Sequence, residues 1–171
     1  MADRIAEELI AHGAVEYGDF VLASGATSHY YLDVKSAITD PGLLGLIGEA
    51  IAEKFTADVI AGVAVGGVPL AVAVALAAGK PYAIIRSAEK DHGKKNVIIG
   101  NVQEKEVILV EDVTTSGGSV LYGVNVLRKA GARVNTVVTV VDREQGAREA
   151  LARDGITLYP LVKASELIRH S

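Results

Sequence analysis

The 171-residue chain is predicted to be one α/β domain with a mainly parallel central sheet flanked by helices. Two observations carry that reading. From residue 59 onward, apolar periodicity broken by glycine and proline gives the order β-α-β-β-α-β-α-β. The strand cores VILV (107–110) and VVTVV (137–141) lack polar alternation, as strands covered on both faces do. Half of the residues are hydrophobic and 22% are charged, so there is enough apolar material to offset the entropy of ordering the chain.

Taken in order, helical periodicity marks 2–12 and 41–55. Between them, 20–36 reads as irregular, rich in Ser, Tyr and Gly, and lies ahead of the sheet as a candidate hood drawn from about residues 1–40. The stretch 59–79 is uncharged over the length of a membrane span, but Gly62, Gly66, Gly67 and Pro69 interrupt it. A β-rich half and an Ala-rich half meet at those glycines, which predicts a buried strand at 59–65, a tight turn and a buried helix at 68–78. Strands follow at 82–86 and 107–110, and then a helix at 119–130, with apolar residues at 120, 124 and 127 and a glycine stop at 131. A strand at 134–141, a helix at 144–153 and a strand at 156–161 complete the chain. In such sheets ligands sit beyond the carboxyl ends of the strands, so the loops after 65, 86, 110 and 141 are the places to look.

Totals exclude several functions. A net charge of -4, from 21 acids and 17 bases, leaves no electrostatic footprint for nucleic acid or an anionic membrane. Zero cysteines exclude disulfides, thiolate metal sites and cysteine nucleophiles, and fit a reducing interior. Asp3, Arg4, Glu7 and Glu8 leave no room for a secretory leader at the start, so a cytoplasmic location is expected. His12, His29 and His170 have no metal-ligand spacing.

The chemistry concentrates in VILVEDVTTSGGS (107–119). A loop of small residues, Thr114 to Ser119, entering a helix offers free backbone N–H groups, hydroxyls and the positive end of the helix dipole to an anion. It is a phosphate cradle without the GxxxxGK[ST] or GxGxxG pattern. Glu111 and Asp112 would repel a phosphate, yet suit the vicinal hydroxyls of a ribose, because an ionised carboxylate accepts and a diol donates twice. One ligand, a sugar phosphate, satisfies both.

This stretch resembles the phosphoribosyl pyrophosphate motif of type I phosphoribosyltransferases. FVLASGATSHYYLDVK (20–35), RSAEKDHG (86–93) and VDREQG (141–146) are similar to segments of the orotate phosphoribosyltransferases, with Gly66-Gly67-Val68-Pro69 as the pyrophosphate-side turn. The resemblance implies the type I phosphoribosyltransferase fold and transfer of a phosphoribosyl group to orotate. It implies that Arg86, Lys90, His92, Glu111, Asp112, Val113, Thr114, Thr115, Ser116, Gly117, Gly118 and Ser119 bind phosphoribosyl pyrophosphate. Thr115 and Arg143 would contact orotate, and Lys90, His92 and Asp112 would be catalytic. Tyr30 and Tyr31 would form a base-stacking lid. Magnesium would ride on the pyrophosphate with no direct protein ligand, and the chain would form a homodimer whose catalytic loop is shared across subunits.

The likeness departs in three places. Ala23, Ser87 and Gly66 stand where many members of the family carry lysine, and Lys94 and Lys95 are expected to compensate in part. Transfer to another base and a phosphoribosyl pyrophosphate-sensing regulator with weak catalysis are the alternatives.

Overall fold

In the computed structural model, residues 1–22, 24–87 and 96–169 are described. The chain runs α1 (Ala2–Ala11), β1 (Val15–Val21), β2 (Thr27–Leu32), α2 (Val34–Ala37), α3 (Pro41–Lys54), β3 (Val59–Val63) and α4 (Gly67–Ala78). It continues with β4 (Tyr82–Ile85), β5 (Ile98–Ile99), β6 (Glu106–Thr114), α5 (Gly118–Lys129), β7 (Arg133–Asp142), α6 (Ala147–Arg153), β8 (Thr157–Lys163) and α7 (Ala164–Arg169).

Six strands form the central sheet in the order β5-β4-β3-β6-β7-β8, and every pair is parallel except β4 with β5. Alternate strand residues feed two cores, as a pleat of period two requires. Ile60, Ile108, Val110, Val138 and Val140 face Ile5, Leu9, Leu43, Ile47, Leu70 and Val74 of α1, α3 and α4. Val59, Ala61, Val63, Val107, Leu109 and Val137 face Val120, Val124, Leu127 and Leu151 of α5 and α6. Each fully buried Leu or Ile is worth about 1.5–3 kcal/mol against leaving it in water, so this two-sided burial is what fixes the strand register.

Local signals set the ends of the elements. Asp40 caps α3 by accepting from Leu43 N–H at 2.9 Å, with Pro41 at the first helical position. Gly79 closes α4 in the left-handed conformation, φ 64°. The apolar run 59–79 folds as strand, turn and helix, and among the described residues no helix is long and apolar enough to cross a membrane. The expectation of a buried helix holds for one face of α4 only, since Leu76 is 79% exposed on the other.

Four sequence expectations are corrected. The segment 20–36, expected to be irregular, carries the end of β1, all of β2 and most of the one-turn helix α2, with β1 and β2 paired as an antiparallel ribbon. The short strand β5 was missed because two residues give no periodicity. The strand expected at 107–110 runs on through both acids to Thr114, hydrogen-bonded to β7 along its extra length. The helix expected from 144 starts at Ala147, because Glu144 (φ 60°) and Gly146 (φ 100°) both take left-handed backbone.

Candidate active site

The site lies where the sheet divides. β3 stays paired with β6 only as far as Gly62 opposite Val110, whereas β6 and β7 stay paired to Thr114 opposite Asp142. Past Val110, β6 therefore has a neighbour on one side only. The β3–α4 turn begins here, and its Ala64–Val65 peptide is cis.

Glu111 and Asp112 sit on this divided stretch and are buried, with 6% and 4% of their surface exposed. Paired acids inside a strand contradict the apolar pattern, which is why the strand seemed to stop before them. Glu111 Oε1 accepts Asp112 N–H at 3.0 Å, and its Oε2 accepts the Ser119 hydroxyl at 3.3 Å. Asp112 Oδ2 forms an ion pair with Lys35 Nζ at 2.8 Å and, among the described residues, takes no other donor.

Burial pushes the Glu111 carboxyl up to about 9, with the hydrogen bond to Asp112 and that neighbour's charge adding to the effect. Burial presses on Asp112 in the same direction, but its hydrogen bond with Glu111 and the Lys35 ammonium outweigh it and hold the group below the ordinary carboxylate range. The opposite directions favour one proton and one negative charge on the pair as a whole.

The cradle follows directly. Glu111, Val113, Thr114, Thr115, Gly117, Gly118 and Ser119 line one hollow at the start of α5. Gly117 takes φ 93° there, and a Cβ would press on Ala147 at 3.3 Å. Ser116 is exposed in the same turn. A second hollow of about 200 Å³ is walled by Asp112, Lys35, Val65 and Gly66 and shares Glu111, Val113 and Ser119 with the first. The two hollows therefore adjoin at Glu111, Val113 and Ser119, with the small-residue turn on one side and the Asp112 carboxylate on the other. Larger hollows beside α1 and between α3 and α4 have mainly aliphatic walls and no such pairing.

Arg143, at the carboxyl end of β7, is 8% exposed. Its guanidinium carbon lies 4.9 Å from the centre of the Tyr30 ring, and its Nε has no hydrogen-bond partner among the described residues. A buried planar donor left open in this way is suited to a ligand acceptor. Thr115 stands next to it in space: Arg143 N–H donates to Thr114 O and Ala147 N–H to Thr115 O.

Arg86 follows β4 directly, is exposed and lines neither hollow, while its N–H donates to Val97 O at 2.8 Å. Lys90, His92, Lys94 and Lys95 lie outside the described residues, as does Ala23. Tyr30 meets Arg143, whereas Tyr31 packs on Phe20 at 5.6 Å between ring centroids. Sequence reasoning left one residue of the site unassigned, Lys35. The available signal was Asp33, a helix cap that accepts from Ser36 N–H at 3.1 Å and so sets Lys35 inside α2.

Residues 35–158 match the family model of the phosphoribosyl transferase domain, which places the chain in that class. It is 65% identical over 168 residues to the orotate phosphoribosyltransferase of Methanocorpusculum labreanum, covering 98% of this chain and 99% of that one. The chain belongs to the orotate phosphoribosyltransferase family. Its structure superposes on the crystal structure of orotate phosphoribosyltransferase from Aeropyrum pernix with a TM-score of 0.87 at 32% identity, covering 97% of both chains. The Mycobacterium tuberculosis orotate phosphoribosyltransferase in complex with 5-phospho-α-D-ribosyl 1-diphosphate superposes with a TM-score of 0.80 at 28% identity, over 97% of this chain and 98% of that one.

Proposed function

We propose that the chain transfers the 5-phosphoribosyl group from phosphoribosyl pyrophosphate to orotate, giving orotidine 5'-monophosphate and pyrophosphate, a step of UMP synthesis. The observation that carries this is the pair of adjoining hollows that share Glu111, Val113 and Ser119 as lining. The 5-phosphate occupies the Thr114–Ser119 turn, and the ribose hydroxyls donate to the acid pair. The orotate carboxylate meets Arg143, beside Thr115.

The C1–O bond breaks with its electron pair leaving on pyrophosphate. Orotate N1 supplies the pair for the new bond, and its proton passes to pyrophosphate or solvent. The transition state resembles an oxocarbenium ion, so the protein need only hold the diol, orient the base, exclude water and offset the charge on the leaving oxygens. Asp112, ionised beside the ribose, faces the positive charge that develops on the ring. Arg86, Lys90 and His92 are assigned to the pyrophosphate.

Among the described residues there is no cluster of three or more His, Asp or Glu able to hold a metal. The two carboxylates nearest the reaction are engaged with each other, Ser119 and Lys35. These residues fit a magnesium ion held by pyrophosphate oxygens and water, where it would neutralise leaving-group charge.

The reading includes a homodimer, with the loop after β4 serving the partner's site. The support is the open face of α4, with Leu76 exposed beside an apolar hollow walled by Pro41, Leu44, Pro69 and Val72. The cysteine-free composition suits a cytoplasmic enzyme. The deciding assay follows loss of orotate absorbance on adding phosphoribosyl pyrophosphate and magnesium. Turnover is expected; tight binding of the sugar pyrophosphate without turnover of orotate would instead favour a sensor.

A further inference from the structure

Lys35 rises from the one-turn helix α2, and its Nζ lies 2.8 Å from Asp112 Oδ2. The two ends of this pair are unlike: the Lys35 side chain is 61% exposed and that of Asp112 is 5% exposed. The ammonium therefore reaches from solvent down to a buried carboxylate. It is the one basic side chain among the described residues lining the second hollow, whose other walls include the two acids, Ser119 and the turn from Ala64 to Gly66. The turn presses closely on the pair, since a Cβ at Gly66 would stand 2.6 Å from the Asp112 carboxylate. Backbone, carboxylate and ammonium meet at one point.

The next step rests on the proposed function. In phosphoribosyl pyrophosphate, the carbon that carries the pyrophosphate is bonded to the carbon that carries the 2-hydroxyl. A sugar whose diol donates to Asp112 therefore brings its pyrophosphate alongside any cation resting on that carboxylate. Among the described residues the Lys35 ammonium is the one cation on Asp112 Oδ2, so hydroxyls that take this oxygen displace it. The displaced ammonium sits on a flexible four-carbon stem, and the nearest new anion is the pyrophosphate.

We propose that Lys35 is a contact to the leaving group. In the free site it rests on Asp112; with the sugar bound it moves to the pyrophosphate oxygens and offsets their charge as the C1–O bond breaks. This gives the site a cation on the turn side, where Gly66 supplies no side chain.

The test is calorimetric titration of wild type, Lys35→Met and Lys35→Arg with three probes: inorganic pyrophosphate, ribose 5-phosphate and phosphoribosyl pyrophosphate. Lys35→Met should weaken both pyrophosphate-bearing probes by about 10- to 100-fold, the worth of a hydrogen bond between charged groups. Ribose 5-phosphate, which carries the diol and phosphate alone, should bind near its wild-type value. Lys35→Arg should restore most of the loss, and kcat of Lys35→Met should fall together with the rise in KM. Equal weakening of all three probes, which a purely structural role would give, overturns the proposal, as does no change in any. Failure of the wild type to turn over orotate would count against the function and not this contact, because the pyrophosphate titration needs no orotate.

Discussion

The Thr114 hydroxyl donates to the Asp142 carboxylate over 3.3 Å, across the paired ends of β6 and β7. The same carboxylate oxygen accepts Glu144 N–H at 2.9 Å, and Arg143 N–H donates back to Thr114 O at 2.9 Å. One buried clamp thus sets both the first threonine of the cradle and the arginine assigned to the base. Asp142→Ala should cost about 1–3 kcal/mol of stability, because a buried hydroxyl and a backbone N–H lose their acceptor. It should also raise KM for orotate more than KM for phosphoribosyl pyrophosphate. Asp142→Asn keeps an acceptor and should recover most of the stability in denaturant unfolding.

Arg143 offers, over the Tyr30 face, an Nε with no hydrogen-bond partner among the described residues. A lysine cannot reproduce that planar fork, so Arg143→Lys should raise KM for orotate by about 10- to 100-fold with little change for the sugar pyrophosphate. Initial rates at varied orotate measure it. Tyr30→Leu should give a smaller rise, in line with about 0.5–2 kcal/mol for a cation over a ring.

The raised Glu111 carboxyl predicts a pH dependence of stability. An acid that holds its proton more tightly when folded makes the native state lose stability as pH climbs from its ordinary value of 4.5 to about 9, and no further above. The slope is at most about 1.4 kcal/mol per pH unit. Asp112, with a depressed value, acts in the opposite sense below 3.8, outside that window. Glu111→Gln is neutral throughout and should flatten the decline. Urea midpoints taken from about pH 5.5 to about pH 9 should show the variant gaining on wild type as pH rises. If both proteins fell in parallel, the titration would belong to another group.

Leu76→Glu places a charge on the open face of α4. If that face joins two copies, sedimentation should show the dimer giving way to monomer, with activity falling in step if the loop after β4 serves the partner's site. A variant that sediments and turns over like wild type would move the interface elsewhere.

The parts of the fold that were legible in the sequence are those with local causes. VILV and VVTVV announce doubly covered strands, and the cradle is written in Thr114–Ser119 because a turn that exposes backbone N–H groups needs small residues. The misreadings have non-local causes. Glu111 and Asp112 look like a strand end, and only the neighbouring β7 backbone, Ser119 and Lys35 make it possible to bury them. β1 and β2 show weak alternation because the ribbon is largely exposed on both faces, so nothing in its composition shows that Val15 pairs with Leu32. Lys35 belongs to the site through a residue on another strand, a relation that no spacing along the chain encodes.

The parting of β3 from β6 gives the sheet an edge in its interior. Beyond Val110, β6 has backbone facing a cleft in place of a strand, and such an edge would ordinarily be a template for unwanted pairing with another chain. Here it is short, sunk behind the β3–α4 turn and occupied by a carboxylate with an ammonium resting on it. The charges proposed to receive the substrate would also oppose foreign strands, so a variant that neutralises both Asp112 and Lys35 is expected to aggregate more readily as well as to bind the sugar more weakly.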